Sequence, residues 1–254
     1  MTESRYIGAL DDSLTPLRIA KMPGTIVDMH VHTVRGAADS SLTPDQLIQE
    51  ARRIGLTGVN ISEHDRVWEP HLLDEFRERS GLFVSRGMEV STDLGHMIVI
   101  GLDRYVPGIR RAVELRRVLD EIGGFMTVAH PFRHFFDPIH FRRDGRPPFE
   151  MSPEEAAERM PVFKLVDEIE IANGGSTPRE NQFALKVAKA LGKQGIGASD
   201  CHSTNGVGYF VTMFEEELGD QEHMLEQLRA GRYRAAQGLA AGNLRPYEEE
   251  AVEA

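Results

Sequence analysis

Thr25-Ile26-Val27-Asp28-Met29-His30-Val31-His32 is the stretch on which the fold turns. A β-branched and apolar lead runs into two histidines at i and i+2, a spacing that puts both imidazoles on one face of a strand. The arrangement recurs along the chain. Gly58-Val59-Asn60-Ile61-Ser62 leads into Glu63-His64-Asp65, and Leu82-Phe83-Val84-Ser85-Arg86 into Gly87-Met88-Glu89. Phe125-Met126-Thr127-Val128 precedes His130, and Ile196-Gly197-Ala198-Ser199 precedes Asp200-Cys201-His202. His96 directly precedes Met97-Ile98-Val99-Ile100, so it opens its strand or closes a tight turn. Ile169-Glu170-Ile171 ends at Asn173-Gly174-Gly175. Helical patterns at 44–54, 109–122, 152–160 and 179–191 separate several of these runs. Strands alternating with helices imply parallel strands joined by right-handed crossovers. Their C-terminal ends then converge on one face, where α/β barrels carry their active sites.

Six of the ten histidines fall in these motifs, with carboxylates beside them. Histidine and carboxylate together are the usual ligands of Zn²⁺, Mn²⁺ and Fe²⁺, so the series predicts a multinuclear metal site. The composition agrees with one soluble α/β barrel: 254 residues, 41% hydrophobic and 27% charged. No apolar run approaches the roughly 20 residues of a membrane helix. The first residues lack the apolar core of a signal peptide. Cys201 is the single cysteine, which excludes an internal disulfide and makes a reducing, cytoplasmic location the expectation. A formal charge of −11 disfavours a broad nucleic-acid or anionic-membrane surface. It leaves room for a small phosphorylated substrate, since bound divalent cations would dominate the local field. The oligomeric state is not legible.

Residues 1–20 read as an N-terminal extension, 21–240 as the barrel domain and 241–254 as an acidic C-terminal tail. Between them, 132–151 carries Phe132, Phe135, Phe136, Phe141 and Phe149 with Arg133, Arg142, Arg143 and Arg146. This segment reads either as an active-site lid or as a loop whose rings pack on the barrel.

The order DMHVHT, SEHD, GMEVST, AHP and SDCH resembles the polymerase and histidinol phosphatase (PHP) superfamily of metal-dependent phosphoesterases, from about Ile26 to about Tyr233. The resemblance implies a distorted seven-stranded (β/α) barrel with two or three divalent ions (Mn²⁺, Zn²⁺ or Fe²⁺) at the C-terminal strand ends. It also implies hydrolysis of a phosphoester by a metal-bound hydroxide. Transferred to this chain, it assigns His30, His32, Glu89 and Asp200 to one ion, with Glu89 bridging to a second that His96 and His130 complete. His64, His202 and Asp39 take a third. A carboxylate can bridge two cations through its two oxygens, and an imidazole cannot.

The remaining candidates follow from neighbourhood. His130-Pro131-Phe132-Arg133 resembles the AHPxR run of family phosphatases, which places Arg133 on a substrate phosphate; the alternative is an ion pair with a carboxylate. Asp65 faces away from His64 on a strand and reads as an acid–base or supporting group. Glu63 and Asp28 read as hydrogen-bonding carboxylates behind the ligands. Cys201 reads as a small core residue, and Trp68 as a side chain that lines the pocket. His71 and His223 read as surface helix residues, while His134 and His140 match no motif. An amidohydrolase-like reaction on a C–N or C–O bond is the chief alternative. Those barrels often bridge their metals with a carboxylated lysine. Here none of Lys21, Lys164, Lys186, Lys189 and Lys193 closes a central strand, whereas Glu89 does. A non-catalytic metal-binding domain would require damaged ligands.

Overall fold

The computed structural model describes residues 24–145 and 147–250. The expected extension over residues 1–20 lies outside them, as do the last four residues of the expected tail. Ten strands form one sheet: β1 (Ile26–Val31), β2 (Gly58–Ile61), β3 (Phe83–Thr92), β4 (Gly95–Ile100), β5 (Phe125–Val128), β6 (Glu168–Asn173), β7 (Ile196–Ala198), β8 (Phe210–Phe214), β9 (Tyr233–Gln237) and β10 (Arg245–Pro246). They lie in the order β10-β9-β8-β1-β2-β3-β4-β5-β6-β7. The seven segments read from the sequence are β1 to β7 in that order. The expected seven-stranded barrel is corrected to a curled, ten-stranded mixed sheet, because the chain pairs three more strands, β8 to β10, onto the free edge of β1. These three are antiparallel to their neighbours.

Helices α1 (Pro44–Ile54), α2 (Pro70–Ser80), α3 (Ala112–Ile122), α4 (Pro138–Asp144), α5 (Pro153–Arg159), α6 (Pro178–Ala190) and α7 (Gln221–Arg229) punctuate the sheet. Three of them start on the same local code. Thr43-Pro44-Asp45-Gln46, Ser152-Pro153-Glu154-Glu155 and Thr177-Pro178-Arg179-Glu180 each form a reciprocal capping box with proline in the first helical position. Each cap contributes about 1 kcal/mol and fixes where the crossover turns back. The buried residues Leu47, Ile48, Ala51 and Ile54 set the inner face of α1. His71 is exposed on α2, and His223 is half-buried on α7.

Not every strand is parallel. β3 and β4 form a hairpin and β4 runs antiparallel to both neighbours. His96 therefore opens β4 opposite Ser91, at the same rim as the C-terminal ends of the parallel strands. At the far side the sheet curls back on itself. The amide of His32 donates to the Cys201 carbonyl at 3.1 Å, and the Thr212 hydroxyl joins both the amide (3.1 Å) and the carbonyl (2.9 Å) of Gly197. Gly197 permits this closure, since a Cβ there would come within 2.4 Å of the Val211 carbonyl oxygen. Cys201 is buried beside Val31, a small core residue as expected.

The 132–151 segment packs through its rings. Phe132 is buried, and its ring meets Phe135, Phe149, Phe163 and Phe183 at centroid distances of 4.7 to 6.0 Å. Phe136 also joins this cluster, while the Phe141 side chain lies outside the described set. Phe132→Ala is expected to cost about 3–5 kcal/mol through lost burial and a residual cavity. The melting temperature should then fall by about 6–20 °C; a fall of under 2 °C would mean that the ring cluster does not anchor the segment. In the expected tail, β10 pairs with β9, and Glu249 pairs with Lys189 at 2.6 Å. No described helix is long and apolar enough to cross a membrane.

Candidate metal centre

Glu89, with its side chain only 2% exposed, sits at the middle of the rim, and its two oxygens face different histidines. Oε1 lies 2.8 Å from Nδ1 of His96 and 3.3 Å from Nε2 of His130. Oε2 lies 2.8 Å from Nδ1 of His64, 3.3 Å from Nε2 of His32 and 3.5 Å from Nε2 of His30. Asp200 approaches from β7, its Oδ1 3.4 Å from Nε2 of both His30 and His32. Asp39 reaches over the outer edge, 3.5 Å from Nε2 of His64 and 3.4 Å from Nε2 of His202. All nine side chains expected as ligands therefore meet in one place. Three groups have ligand atoms within 4.8 Å of one another: His30, His32 and Asp200; Glu89, His96 and His130; and His32, His64 and His202.

The arrangement fits cations better than it fits itself. Nδ1 of His30 is 2.9 Å from Oε1 of Glu170, so it carries the proton there and turns the Nε2 lone pair inward. That Nε2 lies only 2.8 Å from Nε2 of His32. Two imidazole nitrogens that close need a shared proton between them or a cation beside them. Buried Glu89 Oε2, His32 Nδ1 and His202 Nε2 make no well-aligned hydrogen bond among the described residues, even though His64 Nδ1 lies 2.8 Å from Glu89 Oε2 and Asp39 lies 3.4 Å from His202 Nε2; burying an unpaired polar atom costs about 1–3 kcal/mol. Burial opposes charge on His30, yet the carboxylates of Asp200, Glu170 and Glu89 overrule it and pull its pKa well above the usual imidazole range. Burial likewise works against an ionised Glu89, but His30 and His130 hold its carboxyl well below the usual carboxylate range. The buried carboxylates thus demand positive charge at the centre, which divalent cations supply.

Supporting residues fix the ligands, and the sequence reading missed the most connected of them. Glu170, fully buried on β6, takes Nδ1 of His30 with Oε1; with Oε2 it accepts the His130 amide at 2.8 Å and the Asn173 side-chain amide at 2.8 Å. A carboxylate inside the apolar run Ile169-Glu170-Ile171-Ala172 was the available signal, because a charge buried there needs partners. Glu170→Gln keeps the shape but places an amide donor against at least one of the three donors it now serves. Affinity for the cations should fall about 10- to 100-fold; unchanged binding in a calorimetric titration would strip Glu170 of this role.

Two other carboxylates stand directly behind the candidate ligands, Asp28 at the His30 amide (3.4 Å) and Glu63 4.0 Å from Nδ1 of His32. Asp28 accepts the Ser199 amide (3.0 Å), the Ser199 hydroxyl and the Gly208 amide (2.9 Å), tying β1 to the end of β7. Burial pushes its pKa up to about 6 against those bonds. Glu63 accepts the Thr33 amide and hydroxyl and the Trp68 indole N–H (2.8 Å). Trp68 is 3% exposed, so it supports Glu63 from the core and does not line the pocket as expected.

Arg133 points its Nη2 at Oδ2 of Asp200 and at Oδ1 of Asn173 (3.2 Å). Gly175 makes room for it, since a Cβ there would overlap the guanidinium. Asp65 is 24% exposed at the rim, where it accepts the Ser91 amide (3.2 Å) and pairs with Arg110 (2.8 Å). Asp65, His130 and Asp200 have φ of +51°, +30° and +52°. Such backbone costs roughly 1–3 kcal/mol per residue and persists where the surroundings hold it. Here the Asp65 amide is held by the Glu89 carbonyl and the His130 amide by Glu170.

Comparison with other proteins bears on the fold. Residues 178–233 match the family model described as PHP-associated. No curated protein matches the chain. Among solved structures, a Bifidobacterium adolescentis protein assigned as a metal-dependent phosphoesterase superposes with a TM-score of 0.53 at 19% identity, over 81% of this chain and 96% of its own. An amidohydrolase from Chromobacterium violaceum, with bound sulfate and no metal, gives 0.51 at 16%, over 85% and 99%. A lesion-specific endonuclease from Pyrococcus furiosus gives 0.53 at 16%, over 83% of this chain but only 57% of its own. At these identities the likeness is one of fold.

Proposed function

We infer, for a chain whose C-terminal segment matches the PHP-associated family model and whose fold is shared with a metal-dependent phosphoesterase, a metal-dependent hydrolase of the polymerase and histidinol phosphatase superfamily that cleaves a phosphoester of a small phosphorylated molecule. The observation that carries this reading is the division of Glu89, Oε1 facing His96 at 2.8 Å and Oε2 facing His64 at 2.8 Å and His32 at 3.3 Å. A carboxylate so placed suits two cations side by side, the arrangement that clamps the attacking and leaving oxygens of an in-line displacement. The unit proposed to carry the reaction is the domain over 21–240.

His30, His32 and Asp200 would hold one cation, and His96 and His130 a second, with Glu89 between them. His64 and His202 with Asp39 would hold a third. Mn²⁺, Zn²⁺ or Fe²⁺ suits this donor set and, when bound, lowers the pKa of coordinated water toward neutrality and offsets phosphoryl charge. The protein's own groups do the rest. Arg133 keeps Asp200 through Nη2, and the exposed part of its side chain, 26% of it, would meet a phosphate oxygen. Asp65, at the rim between Ser91 and Arg110, is the proposed proton carrier. The formal charge of −11 favours a small anion over a polyanion, whose phosphates would meet repulsion beyond the site.

The test is turnover of a panel of phosphomonoesters, phosphodiesters, amides and lactones by protein loaded in turn with Mn²⁺, Zn²⁺ and Fe²⁺. Phosphate-ester cleavage with at least one metal is expected. Cleavage of amides or lactones alone would move the protein to the amidohydrolase reading. That reading has the Chromobacterium violaceum fold likeness in its favour; against it, none of the described lysines, Lys164, Lys186, Lys189 and Lys193, lies on a strand.

A further inference from the structure

A second set of ligand atoms lies beyond this centre. His134, Asp137 and His140 bring one ring nitrogen, one carboxylate oxygen and another ring nitrogen within 4.8 Å of one another, and they share no side chain with the groups around Glu89. We propose that they form a separate divalent-cation site, suited to Zn²⁺, that clips the turn after His130 to helix α4.

Local structure fixes two of the three ligands. Asp137 immediately precedes α4, and its Oδ1 accepts the Ile139 amide at 2.8 Å, so the carboxylate is held in place as a cap. That leaves Oδ2 to face Nδ1 of His140, one turn along, at 2.7 Å. His134 is supplied by the turn itself. Its backbone has φ of +65°, and its amide is held by Oε1 of Glu180, the capping residue of α6, at 2.6 Å. The backbone at 134 is therefore anchored while its side chain stays exposed at the surface.

The chemistry selects the ion. Two imidazoles and one carboxylate, with a position left for water, are a donor set for tetrahedral zinc. The set has too few oxygens for Ca²⁺ or Mg²⁺ and no thiolate for Cu⁺. Without an ion, the same atoms make an Asp–His hydrogen bond with the His134 ring stacked over it, centroids 4.0 Å apart and planes at 10°. Parallel rings do not aim their in-plane lone pairs at one point, so the His134 ring must turn about its Cβ–Cγ bond, a torsion that varies broadly. The cation then takes the place of the proton between Asp137 and His140; a neutral ring carries that proton on Nε2 instead, and an imidazolium gives it up to solvent. The turn so clipped carries His130 and Arg133 at its start.

The ions can be counted without reference to catalysis. Zn²⁺ titrated calorimetrically into full-length protein is expected to show one equivalent more in the wild type than in the His134→Asn/His140→Gln variant. Asparagine accepts the left-handed backbone at 134, so the fold should survive. Asp137→Asn keeps a capping side chain but loses the charge, and should weaken the same equivalent at least tenfold while leaving the melting temperature unchanged. A Glu89→Gln/Asp200→Asn variant, crippled at the main centre, should still bind that equivalent. Equal Zn²⁺ stoichiometry and affinity in the wild type and in Asp137→Asn would overturn the proposal. So would a folded Glu89→Gln/Asp200→Asn protein that binds no Zn²⁺. Neither result bears on whether the main centre hydrolyses phosphoesters.

Discussion

Glu89→Gln should abolish turnover, by roughly 10³-fold or more, and lower the number of tightly held ions while the fold survives. Glutamine matches the shape of glutamate but offers one neutral acceptor oxygen and an NH₂ that repels a cation. In the wild type each oxygen faces its own imidazoles, Oε1 toward His96 and His130 and Oε2 toward His30, His32 and His64. One of those two sides must meet the NH₂ in the variant. Cation stabilisation of a phosphoryl transition state is worth several kcal/mol, and losing about 4 kcal/mol is a factor of about 10³. Glu89→Asp preserves the charge but draws the oxygens back by a methylene, so it should retain more metal than Glu89→Gln. Metal analysis and single-turnover rates on the two variants provide the check. Full metal occupancy with wild-type turnover in Glu89→Gln would remove Glu89 from the centre and take the bridging argument with it.

Most of the centre was legible because its ligands end short apolar runs, and a strand end is the one place where period-2 patterning stops at a fixed edge. Helix α1 likewise falls on 44–54 because a capping box and a left-handed Gly55 bracket it. What stayed hidden involves pairings far apart in the chain. Glu170 serves His30 from 140 positions away, and nothing local to Ile169-Glu170-Ile171 names that partner. The Arg133 to Asp200 contact spans 67 positions, so the sequence could offer only phosphate or some carboxylate as alternatives. Strand β8 has the β-branched and aromatic content of a strand, but which edge of the sheet it joins is decided by tertiary packing. The antiparallel course of β4 follows from the tight turn before Gly95, which leaves no room for a crossover.

Arg133→Ala should lower kcat/KM by about 30- to 1000-fold, the equivalent of about 2–4 kcal/mol for a charged hydrogen bond made to the transition state. The contact with Asp200 adds a second consequence. Removing the guanidinium leaves Oδ2 of Asp200 without that partner, and Asn173 loses a donor as well. A ligand deprived of its outer partner holds metal about 10- to 100-fold less tightly. The two effects separate under saturating metal, which restores occupancy but cannot replace a contact to phosphate. If Arg133 binds substrate, the loss in kcat/KM persists at saturating metal, and Arg133→Lys recovers only part of it because an ammonium lacks the planar fork. If saturating metal returns the alanine variant to wild-type efficiency, Arg133 only positions Asp200, and the phosphate must be held by other groups at the rim.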